Sequence, residues 1–448
     1  MFKRILVANR GEIAMRIIKA CKEMGIQTVA VCSQADQHSP HLKFADKSVC
    51  IGASHSSQSY LNMQAILQTA LQTQCQAIHP GFGFLSENAL FSAMCNQYNI
   101  TFIGPRPTAI KLMGDKSNAR QTMKKAGLPI IPGSDKTMSS LKEAQEIAKT
   151  IGFPVLLKAT AGGGGKGMRI CHNLEELEKN FTEASYEAEK AFGNKGLYME
   201  KYLIDGRHIE FQVIADSYGN AVHLGERECS VQRNHQKLLE ESPSPVITPE
   251  QRDSLGKKIV KAVQYVGYQN AGTMEFFMEQ GNLYFMEMNT RIQVEHPVTE
   301  MVTQIDIVKE QIRIAANHIL SFQQDQIANK GHAIECRINA EDPENNFRPA
   351  PGKIVRFQPP KNIGTKNLRL DTFVEEGYTI PSFYDSMIGK LIAWGETRSE
   401  AISILKKALE EFVILGVPTT IPLHLKILQN EAFVQGNYNT SLLKKISL

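Results

Sequence analysis

Residues 286–300 read MEMNTRIQVEHPVTE, in which Glu287, Asn289, Arg291, Gln293 and Glu295 fall at every second position. On an extended strand such residues share one face. Just upstream, TMEFFME-QGN-LYFMEMN reads as two apolar strands joined by a three-residue loop that holds Gly281. Pairing Glu279 with Leu283 and counting outward sets Glu275 opposite Glu287. Facing carboxylates repel in a sheet and are costly to bury. A hard divalent cation removes the conflict, with Asn289 as a third oxygen donor, and such a set suits Mg²⁺ or Mn²⁺ bridging phosphates. A solvated sheet face carrying the same charges is the other reading.

Three further stretches carry chemistry. GGGGKG, 162–167, sets four glycines in a row between apolar strands, a costly choice unless backbone N–H groups must approach a phosphate closely. It is not a Walker A loop, because Gly167 stands where Ser or Thr is required, and a plain surface hairpin stays open. Lys158 lies inside the apolar strand PVLLKA and calls for an anionic partner; Lys116 in GDKSN also fits a solvated helix start. ERECSVQRNHQKLLEESPSP contains Arg227, Arg233, His235 and Lys237, which as a basic run reads by itself as a solvated face. In HAIECRINAED, Glu335, Arg337 and Asn339 alternate with Ile334, Cys336 and Ile338, so an arginine among acids forms either a structural ion pair or an anion site.

These residues need a frame. RILVAN, GEIAMRIIKACKEMG and QTVAVC read as strand, helix and strand, with Ile13, Ile17, Ala20 and Met24 on one helical stripe. Further strand and helix alternation through ITFIGP predicts a parallel, doubly wound, Rossmann-like sheet over 1–113. NRGEIA lacks the G-x-G-x-x-G of a dinucleotide site. A helical linker follows over 114–130, then a small lobe over 131–203 containing Lys158, the glycine loop and a helix near 174–190. From 204 to 448 the strands RHIEFQVIAD, AVHLGERECS, TMEFFME, NLYFMEMN and HAIECRINAED predict an antiparallel sheet covered by helices at about 249–266 and 301–320. Helices and a short strand close the chain over 397–448. The expected class is thus a multidomain α/β and α+β protein.

With 448 residues, the chain exceeds one ordinary core. A net charge of +4 with evenly mixed signs gives no reason to expect nucleic acid or an anionic membrane as partner. No apolar run approaches the ~20 residues that span a bilayer, and the start MFKRILVANRGE is not a secretory signal. Eight scattered cysteines without a C-x-x-C pair fit reduced, buried thiols. A cytoplasmic enzyme is expected.

Taken together, ANRGEIA, HPGFGFLSEN, LMGDK, GGGGKGM, MEKYL, ERECSVQRNHQK, EMNTRIQVEHPVTE, GHAIECRINAEDP and YDSMIGKL run from residue 8 to 391 in an order that resembles the biotin carboxylases of the ATP-grasp superfamily. The resemblance implies a small ATP-grasp lid, a C-terminal ATP-grasp domain and a homodimer. It implies carboxylation of biotin on a biotin carboxyl carrier protein, as the first half-reaction of acetyl-CoA carboxylase supplying malonyl-CoA for fatty acid synthesis. The chain stops at Leu448 without an AMKM-type attachment site, so separate carrier and carboxyltransferase subunits are expected.

By position, the resemblance implies that Lys116, Lys158, His208, Gly164 and Gly165 hold ATP phosphates. Glu200, Lys201, Tyr202 and Leu203 would hold adenine and ribose, with His235 nearby. Glu275 and Glu287 would ligate two Mg²⁺ (or Mn²⁺) ions, Asn289 one of them. Lys237, Arg291, Gln293 and the Val294 backbone would hold bicarbonate, Glu295 would deprotonate it, and Arg337 would face the biotin ureido oxygen. Attack of bicarbonate on the γ-phosphate would give carboxyphosphate, with the glycine loop closing to exclude water. Phe82 departs from the family, which usually has Tyr there. The alternatives are an ATP-grasp ligase for another carboxylate and a non-catalytic subunit; the latter predicts loss of Glu275, Glu287, Lys237, Arg291 or Glu295, all of which are present.

Overall fold

The computed structural model describes residues 1–134, 136–159, 168–192, 195–204 and 206–446. The chain opens with five parallel strands, β1 (Arg4–Val7), β2 (Gln27–Cys32), β3 (Lys47–Cys50), β4 (Ala77–His79) and β5 (Thr101–Phe102), in the order β3-β2-β1-β4-β5. Ile5, Leu6 and Val7 are wholly buried. Helices on both faces of a parallel sheet explain why that strand is a continuous apolar run. The helix Gly11–Glu23 turns Ile13, Ile17 and Ala20 into the core, as its spacing predicts.

The segment expected as a linker, 114–130, contains the helix Lys116–Lys125, which follows the helix Pro107–Gly114 after a break at Asp115, whose carboxylate accepts from the Asn118 N–H at 2.8 Å. Ala119 and Met123 pack with Phe211, Met274, Phe276 and Phe285, so this segment is docked on the large sheet. Beyond it, β6 (Val155–Ala159), β7 (Met168–Cys171) and β8 (Leu197–Lys201) form a three-stranded sheet in the order β7-β6-β8. The helices Leu141–Ile151 and Leu174–Phe192 cover it, and Val155, Leu157, Leu177, Leu197 and Met199 share one apolar cluster there. Residues 160–167, including Gly164 and Gly165, lie outside the described residues.

The largest sheet is antiparallel. It contains β9 (Arg207–Ala215), β10 (Ala221–Arg233), β11 (Gln236–Ser242), β12 (Asn270–Glu279), β13 (Asn282–Asn289) and β14 (His332–Asn339), followed by the strands Met387–Gly395 and Leu368–Thr372. The order runs β13-β12-β9-β10-β11-β14 and then those last two. Strand β11 is not among the expected strands. Leu238, Leu239, Glu240 and Glu241 are all buried, so the strand lacks the in-out alternation that marks a half-solvated sheet. The helix Pro249–Val266 matches its expected bounds. The one expected over 301–320 is two, His296–Thr303 and Ile307–Ala315, broken where Gln304 adopts φ +61° and Asp306 caps the second helix through the Lys309 N–H. All eight cysteines are free, and all but Cys50 are buried. Among the described residues no helix is long and apolar enough to cross a membrane.

Candidate active site

The β12–β13 hairpin builds the first edge of the site. Its turn has two residues, Gln280 (φ +49°) and Gly281 (φ +80°), the tight type that matches strand twist. Glu279 therefore pairs with Asn282, and not with Leu283 as counted from a three-residue loop. A bulge between Glu275 and Phe276 in the β12 register then restores what the count lost, and Glu275 stands opposite Glu287.

Lys237 of β11 occupies the centre. Its Nζ donates to Glu210 Oε2 at 2.6 Å, Glu295 Oε1 at 2.7 Å and Glu275 Oε1 at 3.0 Å. Burial opposes its charge, but the three carboxylates outweigh burial and push the ammonium well above its ordinary range. Beneath it Arg227, wholly buried, donates to Glu210 Oε1 at 2.5 Å, Gln212 Oε1 at 2.7 Å and Gln293 Oε1 at 3.1 Å. The basic run thus divides. Arg227 and Lys237 point inward, while His235 (φ +65°) sits exposed on the β10–β11 turn next to Arg233. A solvated face describes His235 alone, since Arg233 is half-buried, donates to the Asn346 carbonyl at 3.0 Å and lies over the Phe347 ring.

Around Lys237 the expected residues converge. Glu275 Oε1 also accepts from Asn289 Nδ2 at 2.8 Å and Gln293 Nε2 at 2.9 Å, and His208 Nε2 lies 3.2 Å from Glu275 Oε2. Burial would raise the Glu275 carboxyl, yet Lys237 and His208 hold it well below the usual range. Burial disfavours the His208 cation, and Glu275 more than compensates, raising it. Glu295 is likewise held well below the usual range against burial by Lys237, Arg337 and Arg227. Arg337 donates to Glu295 Oε2 at 2.9 Å and to Glu240 Oε1 at 2.7 Å. Val294 presents its carbonyl to Lys390 Nζ at 2.9 Å. Arg291 Nε reaches Glu87 Oε2 at 2.9 Å, and Glu87 also accepts from the Thr290 N–H, tying this strand end to the parallel-sheet region.

The remaining candidates line the approach from the small sheet. Lys116 Nζ stands 3.3 Å from Glu287 Oε2. The partner of Lys158 in this structure is Glu200. Lys201 Nζ donates to the Phe153 carbonyl at 2.7 Å, the Tyr202 N–H to the Pro154 carbonyl at 3.0 Å, and Leu203 follows as the chain leaves β8. Glu275, Glu287 and Asn289 together offer carboxylate and amide oxygens, a set that fits a hard divalent cation, with His208 Nε2 and Lys116 Nζ holding Glu275 and Glu287 in its absence. Two other groupings, His208–Glu210–Glu275 and Glu210–Cys229–Glu295, also bring ligand atoms close together. Lys237 already pairs with the carboxylates there, and burial keeps the Cys229 thiol protonated.

Several residues at the centre carry no expectation from the sequence. Glu210 and Gln212 alternate with His208 in RHIEFQV just as residues 287–295 do, a signal that could have found them. Lys390 lies in the apolar strand MIGKLIAW, the kind of setting that draws attention to Lys158, and is wholly buried 3.1 Å from Glu12 Oε1. Glu87 and Glu240 carry no local signal; only tertiary contact brings them to Arg291 and Arg337.

A parallel sheet, a small three-stranded lobe and a carboxylate-rich antiparallel sheet together make up the frame of the site. Family models match in that order: biotin carboxylase, N-terminal domain, over residues 1–110; carbamoyl-phosphate synthase L chain, ATP binding domain, over 115–323; and biotin carboxylase C-terminal domain over 335–445. The chain belongs to the biotin carboxylase family and is an enzyme of the carboxylase type. A biotin carboxylase of Nostoc sp. is 54% identical over 447 residues, covering 100% of this chain and 99% of the relative. A pyruvate carboxylase subunit of Methanothermobacter thermautotrophicus is 53% identical over 440 residues, covering 98% and 89%. A crystal structure of the biotin carboxylase domain dimer of Hydrogenobacter thermophilus 2-oxoglutarate carboxylase, with MgADP, ADP and bicarbonate, superposes with a TM-score of 0.94 at 51% identity, covering 99% of this chain and 98% of that one.

Proposed function

We propose that this chain carboxylates biotin on a carrier protein, consuming ATP and bicarbonate through carboxyphosphate. The observation that carries the reading is the single contiguous cluster around Lys237, in which Glu295 stands between Glu275 and Arg337. The proposed base is thus neighbour to both the proposed metal carboxylate and the proposed biotin arginine. The named relatives support it.

In this reading Lys116, Lys158, His208, Gly164 and Gly165 bind ATP phosphates, and Glu200–Leu203 with His235 bind adenine and ribose. Glu275, Glu287 and Asn289 hold two Mg²⁺ (or Mn²⁺) ions, which neutralise charge on the phosphoryl oxygens. Lys237, Arg291, Gln293 and Val294 hold bicarbonate. Glu295 is ionised in the resting site and ready to accept a proton. When bicarbonate takes over Lys237 as counter-ion, Glu295 loses a cation, and its basicity rises where the proton must be taken. Carboxyphosphate then breaks down to CO₂ and phosphate, and the phosphate takes the N1 proton of biotin. Arg337 stabilises the resulting enolate, whose nitrogen attacks CO₂; that negative charge is present only on the reaction path.

The domain division 1–113, 114–130, 131–203 and 204–448, a homodimer, a biotin carboxyl carrier protein, carboxyltransferase subunits and a cytoplasmic setting complete the proposal. Acetyl-CoA as final acceptor, feeding fatty acid synthesis, is the proposed context; relatives named for pyruvate and 2-oxoglutarate carboxylation make those the competing acceptors. Steady-state ADP release tests the chemistry: it should require both bicarbonate and free biotin, and ATP cleavage indifferent to biotin would overturn the reading in favour of another ATP-grasp ligase.

A further inference from the structure

Behind Arg337 lies a pair of carboxyl groups that the proposed chemistry does not use. Glu240 of β11 and Glu335 of β14 stand opposite each other in register, and both are wholly buried. Glu240 Oε2 and both Glu335 oxygens have no hydrogen-bond partner among the described residues. The other Glu240 oxygen accepts from Arg337 Nε at 2.7 Å and lies 2.5 Å from Nη2, which also donates to Glu295. Glu240 and Glu295 therefore grip one edge of the guanidinium, and neither takes Nη1.

We propose that Glu240 is a positioning residue for biotin: it fixes the Nε–Nη2 edge of Arg337 beside Glu295 so that Nη1 is presented to the ureido oxygen. The proposal rests on the assignment of Arg337 to biotin. A planar fork held by two acceptors loses little orientational freedom when a third arrives. Glu335 sets the condition under which the hold works. The groups facing Glu240 are Arg337 and Glu335 on β14, Glu295, and Lys237 on its own strand, with Cys229 and Cys336 neutral through burial. Burial raises Glu240 to about 7, with Arg337 pulling it down and Glu295 pushing it up. Glu335 is raised well above the carboxylate range, mainly by burial. Glu240 thus changes charge within the working range while Glu335 stays protonated, and the grip on Arg337 is ionic only above that point.

The test is the pH profile of kcat/KM for free biotin at saturating ATP and bicarbonate, compared between wild type and Glu240→Gln. The wild type should gain activity between pH 6 and 8 on a limb centred near 7. Glu240→Gln should flatten that limb and lower kcat/KM for biotin about tenfold at pH 8, with KM for ATP within about twofold. Glu240→Asp keeps the charge and should keep the limb at reduced kcat/KM; it carries the test alone if Glu240→Gln does not fold. An unchanged limb in Glu240→Gln, or an unchanged kcat/KM in Glu240→Asp, overturns the inference. A wild type without biotin-dependent turnover would instead overturn the assignment on which it rests.

Discussion

At the scale of single residues, one ammonium holds three carboxylates that would otherwise repel. Glu210, Glu275 and Glu295 all meet Lys237 within 3.0 Å, so any change that evicts Lys237 leaves them to Arg227, His208 and Arg337 alone. Glu287 is different: its side chain is 39% exposed, and Lys116 faces it at 3.3 Å. Glu287→Lys should therefore abolish turnover by at least about a hundredfold while the melting temperature stays within a few degrees; retained Mg²⁺-dependent activity would contradict its role at the cation site. Glu295→Gln keeps shape and an acceptor for Arg337 but cannot take a proton. Its kcat should fall by about 10²–10⁴, with nucleotide affinity, measured by ADP titration, near that of the wild type. A kcat within about threefold of wild type would remove Glu295 as base.

At the scale of elements, a two-residue turn and one bulge set the register that brings Glu275 opposite Glu287. Gly281 is the more constrained turn residue, at φ +80°, and a Cβ there would meet nothing within 4 Å. Gly281→Ala should thus cost only its backbone term, about 1 kcal/mol, in denaturant unfolding; a loss above about 3 kcal/mol would mean the turn does more than reverse the chain. Much of this element is readable from apolar runs and the Gly signal. Counting along the sequence gives the pairing of Glu275 with Glu287 correctly although it takes the loop one residue too long, because a bulge that leaves no sequence mark offsets that error. Strand β11 is hidden for a different reason. Its charged residues are buried by partners from remote segments: Glu241 bonds His332, Arg398 and Tyr438, and such pairings leave no periodic mark. Arg227 misleads in the same way, since its acceptors Glu210, Gln212 and Gln293 are 15 or more residues distant.

For the whole molecule, the site is a meeting of regions: Glu87 joins the parallel-sheet region to Arg291, and wholly buried Lys390 faces Glu12 and bonds the Val294 carbonyl. The stability of that assembly depends on histidines buried in neutral form. Burial lowers His41 and His424 to about 4 and His79 to about 3. Because these folded-state values lie below the unfolded value near 6.5, their contribution is complete above about 6.5. It drains as pH falls towards 4, by up to about 1.4 kcal/mol per unit for each group. Glu240, Glu335 and His208, all raised, act in the opposite sense over the same interval, so the histidine effect is read as a difference. Melting temperature should fall less between pH 7 and pH 5 in His79→Gln than in the wild type, and an identical dependence in the two would mean that this ring is protonated in the fold.

If one site joins ATP cleavage to carbon fixation on biotin, ADP and carboxylated biotin must form together. Incubating the protein with ATP, Mg²⁺, biotin and isotope-labelled bicarbonate, then trapping acid-labile label on biotin alongside ADP, tests it directly. Label should appear on biotin only when ATP is present, at no more than one per ADP formed, and should be lost in Glu287→Lys and Glu295→Gln. ADP formed with biotin left unlabelled throughout would contradict it.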